Sequence, residues 1–354
     1  MKAVVYVVSP SEGSGKTTLI MSIAMKAAEL GKRVGYFKPI GFGSTVGPSG
    51  ELIDEDARDM KEILQLKEST DLLCPIVLEK FRFLKKFDEA NLSGAREKIV
   101  SSYRKVSEGK ELMLIDGPNS LSGGLFLNCS ALSLAKEFDA RILLITKIKD
   151  DSFLDDLLLA SDYCRKLGLS PLGAILNRVP TDYPEAEKIA RALLKKEGIE
   201  VLGSIPNSEV LSALRVREIY ELIGGEILAG EGGMDKLVRN FLVGAMSMEG
   251  AIRYFRRTTD KLVIVGGDRT DIISAALETG TSAIIATGGL HPSVKVLPRA
   301  DELNVPIILV PYDTYTTLQQ IQKIMGKIKP GDKARLELAK KLFEENVKWE
   351  KIIG

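Results

Sequence analysis

The chain has 354 residues, enough for two ordinary domains that each bury a core. An apolar fraction of 45% and a charged fraction of 27% describe a water-soluble globular protein. The 49 Lys and Arg nearly cancel the 48 Asp and Glu, and no dense basic run carries interleaved aromatics, so nucleic acid is not an expected partner.

The N-terminal "MKAVVYVVSPSEG" lacks the apolar core and the small-residue cleavage site of a secretory signal. No stretch approaches the roughly 20 apolar residues of a membrane span. A cytoplasmic location without membrane contact is expected. Cys74, Cys129 and Cys164 form no CxxC pair, and the lone histidine is His291. Free thiols are therefore expected, with no zinc site and no disulfide.

In chain order, "AVVYVVS" (3–9) reads as a buried strand and "TTLIMSIAMKAAELG" (17–31) as a helix closed by Gly31. Strands follow at 33–40, 111–118, 140–148 and 171–179, with helical patterns at 150–167 and 184–197 and a last strand and loop at 199–208. The strands are almost continuously apolar, as strands covered on both faces are. Their alternation with helices predicts an α/β fold with a doubly wound, mostly parallel sheet. A Gly-punctuated stretch after Ser208 reads as a linker followed by new elements. A second α/β series then runs through strand 261–267, helix 270–280, strand 282–289, a helix near 298–304 and strand 305–312, ending in an amphipathic helix at 332–353. The expected domains are 1–210 and a smaller α/β domain at 211–354 that includes this last helix.

The segment "SPSEGSGKTT" (9–18) joins the first strand to the first helix. A glycine-bearing turn that launches a helix aims backbone N–H groups at one point, and the positive end of the helix dipole adds to them. Lys16 stands where it reaches the outer phosphates of a nucleotide, and Thr17 where its hydroxyl holds Mg²⁺. Asp116, in "LMLIDGP", ends a buried strand and suits the metal-orienting carboxylate that phosphoryl chemistry requires. Pro10 departs from the ordinary pattern, which has a glycine five residues before Gly15.

"SPSEGSGKTT", "GYFKPIG", "DEDARDM", "IDGP", "GAILNRV" and "VLGSIPNS" together resemble the dethiobiotin synthetase-like P-loop superfamily. The likeness is closest to the branch that forms the N-terminal region of long bacterial phosphotransacetylases. In that family the loop begins one residue earlier, so Ser9 takes the place of the first glycine. The resemblance implies ATP and Mg²⁺ as cofactors. Ser11, Glu12, Gly13, Ser14, Gly15, Lys16, Thr17 and Thr18 would bind the nucleotide's phosphates, and Asn177 would read the adenine edge. Thr17, Asp56 and Asp116 would hold the metal, while Lys16 and Lys38 would face the transferred γ-phosphate. The acceptor side departs from the family at Gly41-Phe42-Gly43 and over 77–94.

In the second half, Asp268-Arg269-Thr270 and Thr287-Gly288-Gly289 resemble the DRTGG domain, over about residues 213–325. That resemblance implies a sensing or dimerising role, hence a homodimer or larger homo-oligomer. Two strand ends bearing Gly, Asp and Arg suit a small polar or phosphorylated ligand, and equally suit plain tight turns.

Two functions stand side by side. In one, Mg·ATP phosphorylates a carboxylate or carbamate and an amine attacks the mixed anhydride. In the other, the nucleotide binds without turnover and regulates a partner enzyme. The chain is not expected to be an acyltransferase itself, since the two accessory-type domains fill its length.

Overall fold

The computed structural model describes residues 2–43, 45–46, 50, 52–79, 89–181, 183–322 and 326–354. It divides into two compact units, Met1–Asn207 with Ile328–Gly354, and Ser208–Lys327. Among the described residues, no helix is long and apolar enough to cross a membrane.

The first unit is built on a six-stranded parallel sheet in the order Val201–Pro206, Pro171–Val179, Arg141–Lys147, Ala3–Val8, Leu112–Asp116, Val34–Phe37. Every residue of the Leu112–Asp116 and Val34–Phe37 strands is buried, which explains their unbroken apolar runs. The chain first winds from Ala3–Val8 toward Val34–Phe37 and later fills the opposite side. The order therefore reverses beside the central strand, and the crevice at the strands' carboxyl ends is where such sheets place ligands. The strand expected at 33–40 stops at Phe37 and resumes as Ile40–Gly43, which pairs with Ile76–Glu79. Pro39 between them has no N–H to continue a ladder. Of the acceptor-side stretch 77–94, residues 80–88 lie outside the described residues.

The second unit holds a mixed five-stranded sheet, Glu226–Ala229, Ile307–Leu309, Thr281–Thr287, Lys261–Gly266, Asn240–Val243, antiparallel only at the Glu226–Ala229 edge. Val263 and Val265 pack into one core with Ile272, Ile284 and Phe255. Leu262 and Ile264 pack into another with Val216, Ile219 and Ile285. This period-two division buries both faces of the sheet. The stretch after Ser208 is structured early: it forms the Val216–Ile223 helix and both outer strands of this sheet. Its Gly225 is fitted to a close approach: with φ 107°, a Cβ there would stand 2.4 Å from the Leu309 carbonyl oxygen.

The C-terminal segment corrects the expected domain division, because Ile328–Gly354 belongs to the first unit. The Lys333–Asn346 helix packs on the Lys16–Glu29 helix, with Lys26 Nζ 3.0 Å from Glu344. The single helix expected at 332–353 also breaks. Val347 turns extended (φ −127°, ψ 137°), bridges Gly203 at the sheet edge, and the chain resumes as the Trp349–Ile353 helix. Edge pairing and burial of Val347 outweigh its helical propensity.

Candidate functional site

The loop after the Ala3–Val8 strand takes its shape from Ser9 and two glycines. Ser9 is fully buried; its hydroxyl donates to the Ser11 carbonyl at 2.7 Å and accepts from the Ser11 N–H at 3.2 Å. Gly13 (φ 67°) and Gly15 (φ 89°) adopt the left-handed region. Gly15 caps the 14-residue Lys16–Glu29 helix without a side-chain bond, and no acid lies in its first turn. The helix thus presents uncapped amides and its positive end to the crevice.

Asn177, for which the resemblance implies an adenine contact, bonds to the loop. Its Nδ2 donates to the Ser14 carbonyl at 2.8 Å, and its Oδ1 accepts from the Arg178 N–H at 2.9 Å. It braces the loop from the Pro171–Val179 strand, two strands away in the sheet, in space that a Cβ on Gly15 would invade at 2.2 Å from Nδ2. Lys147, which the sequence reading missed, is paired with Asn177 across the sheet and donates to the Glu12 carbonyl at 3.0 Å.

Behind the loop stand the charged groups. Asp116 is 1% exposed and ends its strand level with Val7. Its Oδ2 accepts from the Tyr36 hydroxyl at 3.1 Å and lies 3.4 Å from the Thr17 hydroxyl. Burial pushes its carboxyl up to about 6, against the opposing pull of Lys38 and Lys16. Lys16 is buried, which draws its ammonium below the usual lysine value, while Asp116 works in the opposite direction.

Lys38 is the most committed of these groups. Its Nζ donates to Asp54 Oδ1 at 3.0 Å and to Asp56 Oδ2 at 2.5 Å. Burial would lower it, yet Asp56, Asp54 and Asp116 together hold it well above the usual lysine value. Asp56, for which the resemblance implies a metal contact, thus pairs with Lys38. Asp54 was not singled out in the sequence. It accepts from Lys38, from the Phe42 N–H at 3.1 Å, and from the Ala57 N–H at 3.0 Å as the cap of the Glu55–Ile63 helix. Gly41 makes room for it, since a Cβ there would stand 2.3 Å from Asp54 Oδ2.

The unsatisfied atoms show what this cradle fits. Ser14 Oγ and Asp116 Oδ1 are both buried without a hydrogen-bond partner. A hydroxyl on the loop and a carboxylate oxygen behind it match a phosphate oxygen and a divalent cation respectively. Among the described residues, no group of three or more His, Cys, Asp or Glu side chains could hold a metal unaided. Mg²⁺ is usually bound by one or two protein oxygens together with phosphate oxygens and water, and Thr17 with Asp116 fits that pattern.

In the second unit, the two motif segments come together at the carboxyl ends of adjacent strands, where Gly266 pairs with Thr287. Their polar groups are largely occupied internally. Arg269 binds Asp271 through both nitrogens at 3.0 Å and the Met246 carbonyl at 3.0 Å. Thr270 Oγ1 accepts from the Ser293 N–H at 3.0 Å, and Thr287 Oγ1 donates to the Val265 carbonyl at 3.2 Å. Gly288 and Gly289 have φ of 81° and 66°, and their amides bond to the carbonyls of Tyr312 and Val310. Asp268 is exposed.

Residues 3–215 match the family described as an AAA domain, and residues 218–324 match the DRTGG domain. The chain is 22% identical over 359 residues to the phosphate acetyltransferase of Nitratidesulfovibrio vulgaris, covering 97% of this chain and 50% of that one. It is 26% identical over 234 residues to the ATP-dependent dethiobiotin synthetase of Clostridium perfringens, covering 64% of this chain and 100% of that one. The cobyrinic acid a,c-diamide synthase of Mycobacterium smegmatis, solved with ADP and magnesium, is similar at 18% identity and a TM-score of 0.40, over 59% of this chain and 88% of that one. The chain spans about half the length of the phosphate acetyltransferases it matches.

Proposed function

For a chain that belongs to the AAA domain family, with a dethiobiotin synthetase-like P-loop domain followed by a DRTGG domain, we propose that Mg·ATP binds in the first unit as a regulatory signal. The observation that carries the regulatory reading is the clamp on Lys38. A lysine meant to stabilise charge developing on a transferred phosphoryl group acts best when preorganised and free. Here Asp54 and Asp56 already neutralise it.

The chain's own residues have defined tasks in binding. Ser14 and the first-turn amides would donate to phosphate oxygens, Lys16 supplies a positive charge at the outer phosphates, and Thr17 with Asp116 supplies metal-facing oxygens. Asn177 and Lys147 keep the loop open in that form. When bound, Mg·ATP would supply a phosphoryl group and a divalent cation, which Thr17 and Asp116 would hold. The similarity to phosphate acetyltransferases extends across both domains, which supports an enzyme of that acyl-transfer chemistry as the one regulated. Association into a homodimer is part of this proposal, and the DRTGG domain is its reporting element.

Calorimetry on the wild type and on Lys16→Ala, with an ADP-release assay across carboxylic and amino acids, tests the reading. Saturable Mg·ATP binding that Lys16→Ala weakens, without acceptor-stimulated ADP, is the expected result. Absence of binding in the wild type would overturn it. Acceptor-stimulated ADP release would instead establish the ligase reading. That reading has one observation in its favour: Lys38 lies near enough to Lys16 and Asp116 to shift their ionisation.

A further inference from the structure

Tyr36 is buried completely on the strand next to Asp116, and its hydroxyl donates to Asp116 Oδ2 at 3.1 Å. The other donor to that oxygen, Thr17, is longer at 3.4 Å. Oδ1 of the same carboxylate is buried and has no hydrogen-bond partner. The two oxygens are therefore differentiated: Tyr36 and Thr17 hold one, and the other has no partner.

A buried tyrosine in this sheet does not need such a bond merely to be accommodated. Tyr6, on the adjoining strand, is also completely buried, and its hydroxyl has no hydrogen-bond partner. The Tyr36 bond thus has an orientation of its own to explain. A carboxylate that takes up a metal must be held in one rotamer, and partners behind it commonly do this. Thr17 can face the cation with an oxygen lone pair and keep its O–H toward Oδ2, but at 3.4 Å it is the longer of the two donors, and Tyr36, at 3.1 Å from outside the loop, is the closer anchor on Oδ2.

We propose that Tyr36 is the positioning residue for Asp116, fixing Oδ2 so that Oδ1 faces the divalent cation accompanying the nucleotide. The inference rests on the nucleotide-binding reading above and adds a residue that neither the motif nor the family resemblance singled out. It assigns Tyr36 no contact with nucleotide or metal. Its effect must therefore appear only in the part of the affinity that the metal contributes.

The test is a titration of the full chain with ATP, once with Mg²⁺ and once with EDTA, on the wild type, Tyr36→Phe, Asp116→Ala and the double variant. In the wild type, Mg²⁺ tightens binding. Tyr36→Phe is expected to lose roughly ten-fold of that gain, while its affinity in EDTA and its thermal midpoint without nucleotide stay close to wild type. In the Asp116→Ala background, the Tyr36→Phe change is expected to add nothing. A Tyr36→Phe protein that keeps the full Mg²⁺ gain overturns the inference and leaves nucleotide binding standing. A further loss in the Asp116→Ala background also overturns it, since Tyr36 would then act by another route. A wild type that binds ATP in neither medium removes the nucleotide reading itself, together with this inference.

Discussion

Asp54 shows how one side chain can set the state of a site. It neutralises Lys38, caps the Glu55–Ile63 helix and takes the Phe42 N–H, all at 3% exposure. Breaking a buried pair leaves an uncompensated charge, so Asp54→Ala is expected to cost about 3 kcal/mol in urea unfolding. Asp56 is more exposed, its side chain at 23% against 3%, and Asp56→Ala is expected to cost less. Equal losses would show that the Asp54 backbone bonds add nothing. Residues 9–18 and Asp116 were legible in the sequence because local backbone form dictates them: a strand end, a Gly turn, a helix start. Tyr36 could have been read too, since it lies two positions before Lys38 and extended chain repeats its face every two residues. Asp54 could not. Its capping role was visible in "IDEDA", but its contact with Lys38 depends on how the chain returns after Pro39.

Lys261 illustrates what elements require of each other. It is completely buried, and its Nζ donates to the carbonyls of Thr258 and Thr279, just past the ends of the Met248–Phe255 and Thr270–Leu277 helices. A cation there satisfies terminal carbonyls and opposes the helix dipoles. Burial still pushes its ammonium down to about 8. The unfolded chain titrates near the ordinary value of about 10.4 and so holds more protons between these limits. Stability of the second unit therefore rises from pH 8 to about 10.4 through this group. In Lys261→Met that rise is expected to disappear, as read from urea midpoints across the interval; an unchanged slope would contradict the assignment. At the other edge of the chain, Gly203 lets the C-terminal segment close onto the sheet, since a Cβ there would stand 2.5 Å from the Asn346 carbonyl oxygen. Gly203→Ala is expected to lower the stability of the first unit by about 1–3 kcal/mol, measured by thermal unfolding.

At the scale of the molecule, each unit has its own core, and the first is assembled from two separated stretches of chain. Residues 208–327 alone are expected to fold, as dispersed amide resonances would show. A chain ending at Lys327 is expected to keep that unit and weaken the first, whose Lys16–Glu29 helix would lose the Lys333–Asn346 helix packed on it. Calorimetric scanning gives a further check through ligand linkage. Mg·ATP at about 100 times its Kd should stabilise the first unit by about 2.7 kcal/mol and leave the transition of the second in place. Movement of the second transition alone would place the nucleotide in the wrong unit.

The sequence by itself determined the doubly wound architecture, the phosphate loop and the junction after Ser208. Hydrophobic period, glycine placement and strand-to-helix alternation are local signals, and they are enough to specify local backbone. Only the tertiary structure decided that Lys38 is held by Asp54 and Asp56, that Asn177 braces the loop, and that the last helix belongs with the first unit. Each of these is a contact between residues far apart in the chain or across a break in its regular structure. Such contacts are fixed by burial and charge compensation in the folded state, and sequence spacing does not encode them.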